Sequence, residues 1–315
     1  MRTSILGYAL LMTACKGTPD TPGDGQTEPP PDPGTTTAQD TDVVDTGEAP
    51  TSTSPAPNYA LAGDVSFSTS TGALPTGGCQ LAYTHFEPDT RGTEMTVILT
   101  HGFMRGQRHM RQWAEHLASW GIPVVTPELC HASAFDTDHA QNGTDLAALG
   151  ASFEGGEGTL YIGHSAGGLA SLLAANVDAD AVAMLGLDPV DSAEMGLQEA
   201  GDLQVPVRAI LAESSSCNAQ NNGLEMTAAA PDHHVIGIPG ADHCSFENPT
   251  DIGCTLLCSG DGGALSPDEI SDTIAALSTA YVLWQSGTAT EAAQWWTPGD
   301  HWFDELIAGG RIQPR

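Results

Sequence analysis

The chain has 315 residues, with 9 Lys and Arg against 40 Asp and Glu and a formal charge of -31. That balance excludes nucleic-acid binding, which needs a basic surface for phosphate, and opposes attraction to anionic lipid. An apolar fraction of 40% is enough for a real core, and no interior run reaches the roughly 18 consecutive apolar residues of a membrane span.

In chain order, residues 1–15 (MRTSILGYALLMTAC) place Arg2 before a short apolar run from Ile5 to Met12, the outline of a secretory signal. The Met12-Thr13-Ala14-Cys15 end resembles a bacterial lipoprotein lipobox, which implies lipidation at Cys15 and export to the cell envelope. The alternative is an ordinary signal peptide, with Cys15 lost on cleavage. Residues 16–57 hold nine of the 21 prolines and eight acids, with almost nothing apolar beyond Val43 and Val44. Such a composition cannot offset its own ordering entropy and reads as a disordered tether. A folded domain is therefore expected over residues 58–315.

Within that domain, strands are expected at 60–68, 79–86, 95–100, 122–126, 159–162, 181–187, 205–212 and 234–238. Helices are expected at 108–120, 143–153 and 167–176, and from a capping box at Ser266-Pro267-Asp268-Glu269 to about Gln285. Strands alternating with helices imply an α/β domain, a mostly parallel central sheet with helices on both faces.

Gly163-His164-Ser165-Ala166-Gly167 is a Gly-x-Ser-x-Gly run between a β-rich segment, TLYI, and a small-residue helix. In that context it forms a sharp strand-to-helix turn that lifts the serine hydroxyl above the sheet edge. A serine nucleophile requires a base, an orienting acid and oxyanion donors. The base expected here is His243, in a glycine-containing turn after the last main strand. His233 and His234 start a strand, His101 and His164 frame the site, and His301 is a distant alternative. The acid expected is Asp188, the first polar residue after 181–187, with Glu213 and Asp191 as alternatives. The oxyanion N–H groups are expected from Ala166 and from Phe103 in the His101-Gly102-Phe103-Met104 loop. Arg105, Arg108 and Arg111 would either meet an acidic substrate group or, as preferred, be solvated, with Arg111 pairing Glu115. Trp295, Trp296 and Trp302 are expected to close the core.

Six cysteines follow Cys15, an even number that suggests disulfides in an exported chain. The pairing expected is Cys217–Cys244, Cys254–Cys258 and Cys79–Cys130. A rival reading gathers His243, Cys244, Cys254 and Cys258 as a zinc set.

Together, HGF at 101–103, GHSAGG at 163–168, LGLDPVD at 185–191 and GADHC at 240–244 resemble the α/β-hydrolase superfamily. The nearest branch holds chlorophyllases, bacterial cutinases and polyester hydrolases, and platelet-activating-factor acetylhydrolases. The resemblance covers most of residues 60–285. It implies an α/β-hydrolase fold and hydrolysis of carboxylic esters, and its acid position supports Asp188 over Glu213. Chlorophyllases carry Arg where this chain has Ala166, so the resemblance does not extend to chlorophyll. The expected protein is a monomeric extracytoplasmic serine esterase acting on a small-molecule or lipid ester. It needs no metal or organic cofactor and meets the membrane only through its N-terminal anchor. Two other readings are a catalytically inactive binding module of the same fold, and a lipase or polyester depolymerase. The absence of a long insertion between 188 and 205 favours short or exposed esters.

Overall fold

A computed structural model describes residues 58–77, 79–153, 156–260 and 262–315. The signal, Cys15 and the tether lie outside the described residues. The elements run β1 (Phe67–Thr76), β2 (Cys79–Pro88), β3 (Thr96–Thr100), α1 (Arg111–Ser119), β4 (Val124–Pro127), β5 (Ala132–Ser133), β6 (Asp136–Thr137), α2 (His139–Phe153), β7 (Thr159–His164), α3 (Ala166–Val177), β8 (Ala181–Leu187) and α4 (Met195–Glu199). They continue with β9 (Val207–Leu211), α5 (Gly223–Ala228), β10 (His233–Gly237), α6 (Ile252–Cys258), α7 (Pro267–Gln285), α8 (His301–Ala308) and β11 (Gln313–Pro314).

Among the described residues, nine strands form one sheet in the order β1-β2-β4-β3-β7-β8-β9-β10-β11, while β5 and β6 make a separate ribbon. From β4 through β10 all neighbours are parallel; β1, β2 and β11 add antiparallel edges. Every residue of β3, β7 and β9 is buried, as a parallel sheet covered on both faces requires. Side chains alternate between two cores with period two. Val97, Leu99, Leu160, Ile162 and Leu185 face the layer built by α1 and α7, and Ile98, Tyr161 and Met184 face that of α2 and α3. The result is the mixed α/β architecture that the strand–helix alternation implied. No helix among the described residues is long and apolar enough to cross a membrane.

The first strand lies later than expected. Residues 60–66 are not strand, and β1 is the Ser/Thr-rich stretch 67–76, mostly exposed because it is an edge paired on one side only. The capping box holds: Ser266 Oγ accepts from the Glu269 N–H and Pro267 occupies the first turn of α7. Trp295 and Trp296 are buried as expected, and Trp302 stacks on Trp295 at 5.7 Å.

Of the disulfides, Cys79–Cys130 forms as expected; the other two are Cys217–Cys258 and Cys244–Cys254, not Cys217–Cys244 and Cys254–Cys258. The reason is α6, which the sequence reading did not place. Residues one turn apart on a helix hold their Cβ atoms about 5–6 Å apart, beyond the roughly 4 Å of a disulfide. Cys254 and Cys258 therefore turn to separate partners. Such bonds fit an oxidising, extracytoplasmic environment.

Candidate active site

Ser165 occupies the turn between β7 and α3 at φ 56°, ψ -129°, a left-handed conformation that costs a non-glycine residue roughly 1–3 kcal/mol. The flanking glycines make that turn possible. A Cβ on Gly163 would lie 2.1 Å from the Gly167 carbonyl oxygen, and one on Gly167 would lie 2.3 Å from that of His101. The turn is pinned to the end of β8: the Ser165 N–H donates to Leu187 O at 3.2 Å, and Ser165 O accepts from Val190 N at 3.0 Å.

The structure brings Ser165, Asp188 and His243 together at the C-terminal edge of the parallel strands, where ligands bind in open α/β sheets. His243 lies in a short 3-10 turn whose cap is Asp242, with Asp242 Oδ1 accepting from Ser245 N at 2.9 Å. Its Nδ1 is 2.6 Å from Asp188 Oδ2, and its Nε2 is 3.0 Å from Ser165 Oγ. With the proton on Nδ1 donated to the carboxylate, Nε2 presents a lone pair to the serine hydroxyl. Asp188 is fully buried, and its other oxygen accepts from Ala212 N at 2.9 Å. Asn218 Nδ2 also donates to the two Asp188 oxygens, at 3.3 and 3.2 Å. A buried carboxylate needs such donors.

Sequence reasoning missed Asn218. It is buried just before three consecutive left-handed residues, Ala219, Gln220 and Asn221, and it also donates to Glu213 O at 2.9 Å. The Asn-rich run after β9 was the available signal.

The alternative acids and bases have other partners. Glu213 is exposed and pairs with Arg315 at 3.1 Å. Asp191 accepts from the N–H groups of Ser192, Gly196 and Leu197 at 2.7, 2.8 and 3.0 Å, capping α4. The Nδ1 atoms of His233 and His234 bond to backbone carbonyls, and His301 packs on Trp302.

Gly102 lies directly against Ser165: a Cβ there would stand 2.9 Å from Ser165 Cβ. The N–H groups of Phe103 and Ala166 have no acceptor among the described residues, whereas Met104 N–H turns away to Ala132 O at 2.7 Å. Ala166 N–H is one of the orphan donors that open a helix. His101 holds this loop, accepting from Leu129 N at 3.0 Å through Nε2 and bonding Gly102 O at 2.8 Å through Nδ1. His164 bonds His243 O at 3.1 Å through Nε2. Burial pushes both rings below the ordinary histidine value, His164 well below it.

Arg105 is not solvated. It bonds the buried Glu247 carboxylate through Nη2 at 2.6 Å and contacts Asp251 at 3.0 Å, so its Nη2 donors are used inside the protein. Arg111 pairs with Glu115 at 2.7 Å as expected, and Arg108 is largely exposed. The Cys254 N–H and then Arg105 hold the Asp251 carboxyl down to about 2. Of the residues weighed as a zinc set, Cys244, Cys254 and Cys258 bring their sulfurs within 4.8 Å of one another, but all three are in disulfides, and both His243 nitrogens face Asp188 and Ser165.

These disulfides tie α6 to the site. Cys244 follows His243 and joins Cys254; Cys217 precedes Asn218 and joins Cys258. No protein-family model matches the chain, and no curated protein sequence aligns with it significantly.

Proposed function

We propose that the chain is an α/β-hydrolase, an extracytoplasmic serine esterase that cleaves carboxylic esters through an acyl-enzyme. The observation that carries this reading is the hydrogen-bond chain from Asp188 through His243 to Ser165, with the serine held on a strained strand-to-helix turn. Acid and base follow the nucleophile in the order Ser, Asp, His along the chain, as in α/β-hydrolases.

In this reading Ser165 Oγ attacks the ester carbonyl carbon while His243 Nε2 takes the hydroxyl proton. The negative charge passes to the carbonyl oxygen, received by the N–H groups of Ala166 and Phe103. Asp188 fixes the His243 tautomer and stabilises the imidazolium. The C–O bond then breaks, His243 returns the proton to the leaving alcohol, and water repeats the sequence on the acyl-enzyme. Its residues supply nucleophile, base and oxyanion donors. Three disulfides support a site of action outside the cytoplasm, and anchoring through Cys15 belongs to the same proposal.

The test is covalent labelling by a fluorophosphonate probe. Wild-type protein should label, and Ser165→Ala should not. An unlabelled wild type sinks the esterase reading; labelling that survives the substitution moves the nucleophile elsewhere.

A further inference from the structure

The oxyanion loop at 101–104 and the 3-10 turn of the base, His243–Phe246, come from segments far apart in the chain. Each is followed directly by one member of an ion pair. Arg105 follows Met104, and Glu247 follows Phe246. Arg105 Nε bonds Glu247 Oε1, and Arg105 Nη2 bonds Oε2 at 2.6 Å, so both ends of the guanidinium fork hold the carboxylate. The Glu247 side chain is fully buried, and Thr250 Oγ1 donates to its Oε2 at 3.2 Å. A buried carboxylate is costly without its cation, which favours one fixed geometry for the pair.

Other bonds join the two segments, but at a different place. Asn248 N donates to His109 O at 2.7 Å, Gln112 N to Asn248 O at 2.8 Å, and Trp113 Nε1 to Phe246 O at 3.0 Å. All three anchor the base turn to residues 109–113, at the start of α1. Among the described residues, the only hydrogen bonds or ion pairs from 101–105 to 243–251 are those of the Arg105 side chain, to Glu247 and Asp251. Arg105 N–H also donates to Gly102 O at 3.2 Å, which closes a short loop around Phe103. A shift of Arg105 therefore carries Phe103 with it.

A donor serves an oxyanion only within roughly 2.7–3.1 Å, and a misplacement of about 1 Å can cost about 100-fold. Ser165 and the Ala166 N–H are fixed where β7 meets α3. The placement of the Phe103 N–H relative to His243 is the freedom that remains.

We propose that the Arg105–Glu247 pair is a positioning clamp that holds the Phe103 N–H at the oxyanion while His243 stands on Ser165. The proposal rests on the esterase reading. Arg105→Lys keeps the charge and loses the fork, because an ammonium is a compact point charge. Arg105→Met combined with Glu247→Leu removes both charges and leaves no buried carboxylate alone.

The experiment uses the full chain, p-nitrophenyl butyrate as substrate and an alkyl trifluoromethyl ketone as inhibitor. Ser165 Oγ adds to the ketone carbonyl, His243 takes the hydroxyl proton, and the adduct leaves its oxyanion in the hole. Fluorophosphonate titration counts active sites, so unfolded molecules drop out. Per active site, both variants should show kcat/KM lowered by roughly 10- to 100-fold, with the ketone bound more weakly by a similar factor. The pH midpoint of kcat/KM, which reports His243, should not move, because Asp188 and Ser165 still hold that ring. A purely structural role would lower the number of active sites and leave kcat/KM per site and ketone affinity unchanged; that result in either variant overturns the proposal. A shifted pH midpoint with unchanged ketone affinity would assign the pair to His243 alone and also overturns it. Wild-type protein that neither labels nor hydrolyses the ester fails the esterase reading, whereas an active wild type with unaffected variants fails the clamp alone.

Discussion

Asn218 donates from Nδ2 to both carboxylate oxygens of Asp188, at 3.3 and 3.2 Å, in a fully buried pair. Hydrogen bonds to a charged group contribute about 1.5–3 kcal/mol each. Asn218→Leu should lower kcat by roughly 10- to 100-fold while leaving KM little changed, because Asn218 orients the acid and does not meet substrate. Steady-state kinetics on a soluble ester check this; a change confined to KM would contradict it.

Asp188 and Glu213 end neighbouring strands, and only Asp188 touches His243. Asp188→Asn should reduce kcat by about 10⁴-fold, since the wrong imidazole tautomer is then favoured. Glu213→Gln removes an exposed pair with Arg315 and should leave kcat within a factor of about two. The reverse ranking would reassign the acid.

Gly102→Ala places a Cβ 2.9 Å from Ser165 Cβ and 3.4 Å from its Oγ. The first contact is backbone-anchored and cannot swing aside. Probe labelling should slow by at least about 100-fold, with thermal stability reduced by about 1–3 kcal/mol as for other overpacked sites. Wild-type labelling kinetics in this variant would mean that the loop lies elsewhere in solution.

The buried His101 and His164 set a pH dependence of stability. Their folded-state affinity for a proton is depressed, by burial first, below that of the unfolded chain near 6.5. The unfolded state therefore binds more protons below that pH, and stability falls as pH drops through about 6.5, with a limiting slope of about 1.4 kcal/mol per pH unit for each ring. Above about 7 the contribution is complete. Urea midpoints from pH 7.5 to 5 should decline, and less steeply in His164→Gln.

Cys258 Sγ lies within 4.8 Å of both sulfurs of the Cys244–Cys254 bond. Cys217→Ser frees it as a thiol. Its thiolate can attack Cys244 Sγ, forming Cys244–Cys258 and releasing Cys254 as a thiolate that takes up a proton. Peptide mapping after alkylation should find this second pairing alongside the native one, with reduced esterase activity because the bond next to His243 has moved one helical turn. Exclusive recovery of Cys244–Cys254 would show that the three sulfurs do not exchange.

Local chemistry made much of the site legible. The core strands read as apolar runs because a parallel sheet is buried on both faces. The Gly163–Gly167 turn read as a nucleophile turn because its steric need for glycine is met by residues a few positions apart. The Ser266 cap formed as written, since a capping box closes within four residues. Asn218 stayed hidden because its partner, Asp188, is 30 residues away. Arg105 read as solvated because its buried partner Glu247 is 142 residues off.

By itself the sequence determined the α/β layering, the turn that strains Ser165, and an even set of six cysteines after Cys15. These follow from periodicity, glycine sterics and composition. Only the tertiary structure decided that His243 meets Asp188 and not Glu213. It also decided that Cys254 and Cys258 part company, and that α6 shows its aliphatic side outward. Each depends on where two distant segments approach, and approach distances are set by packing across the sheet, not by neighbours in the chain.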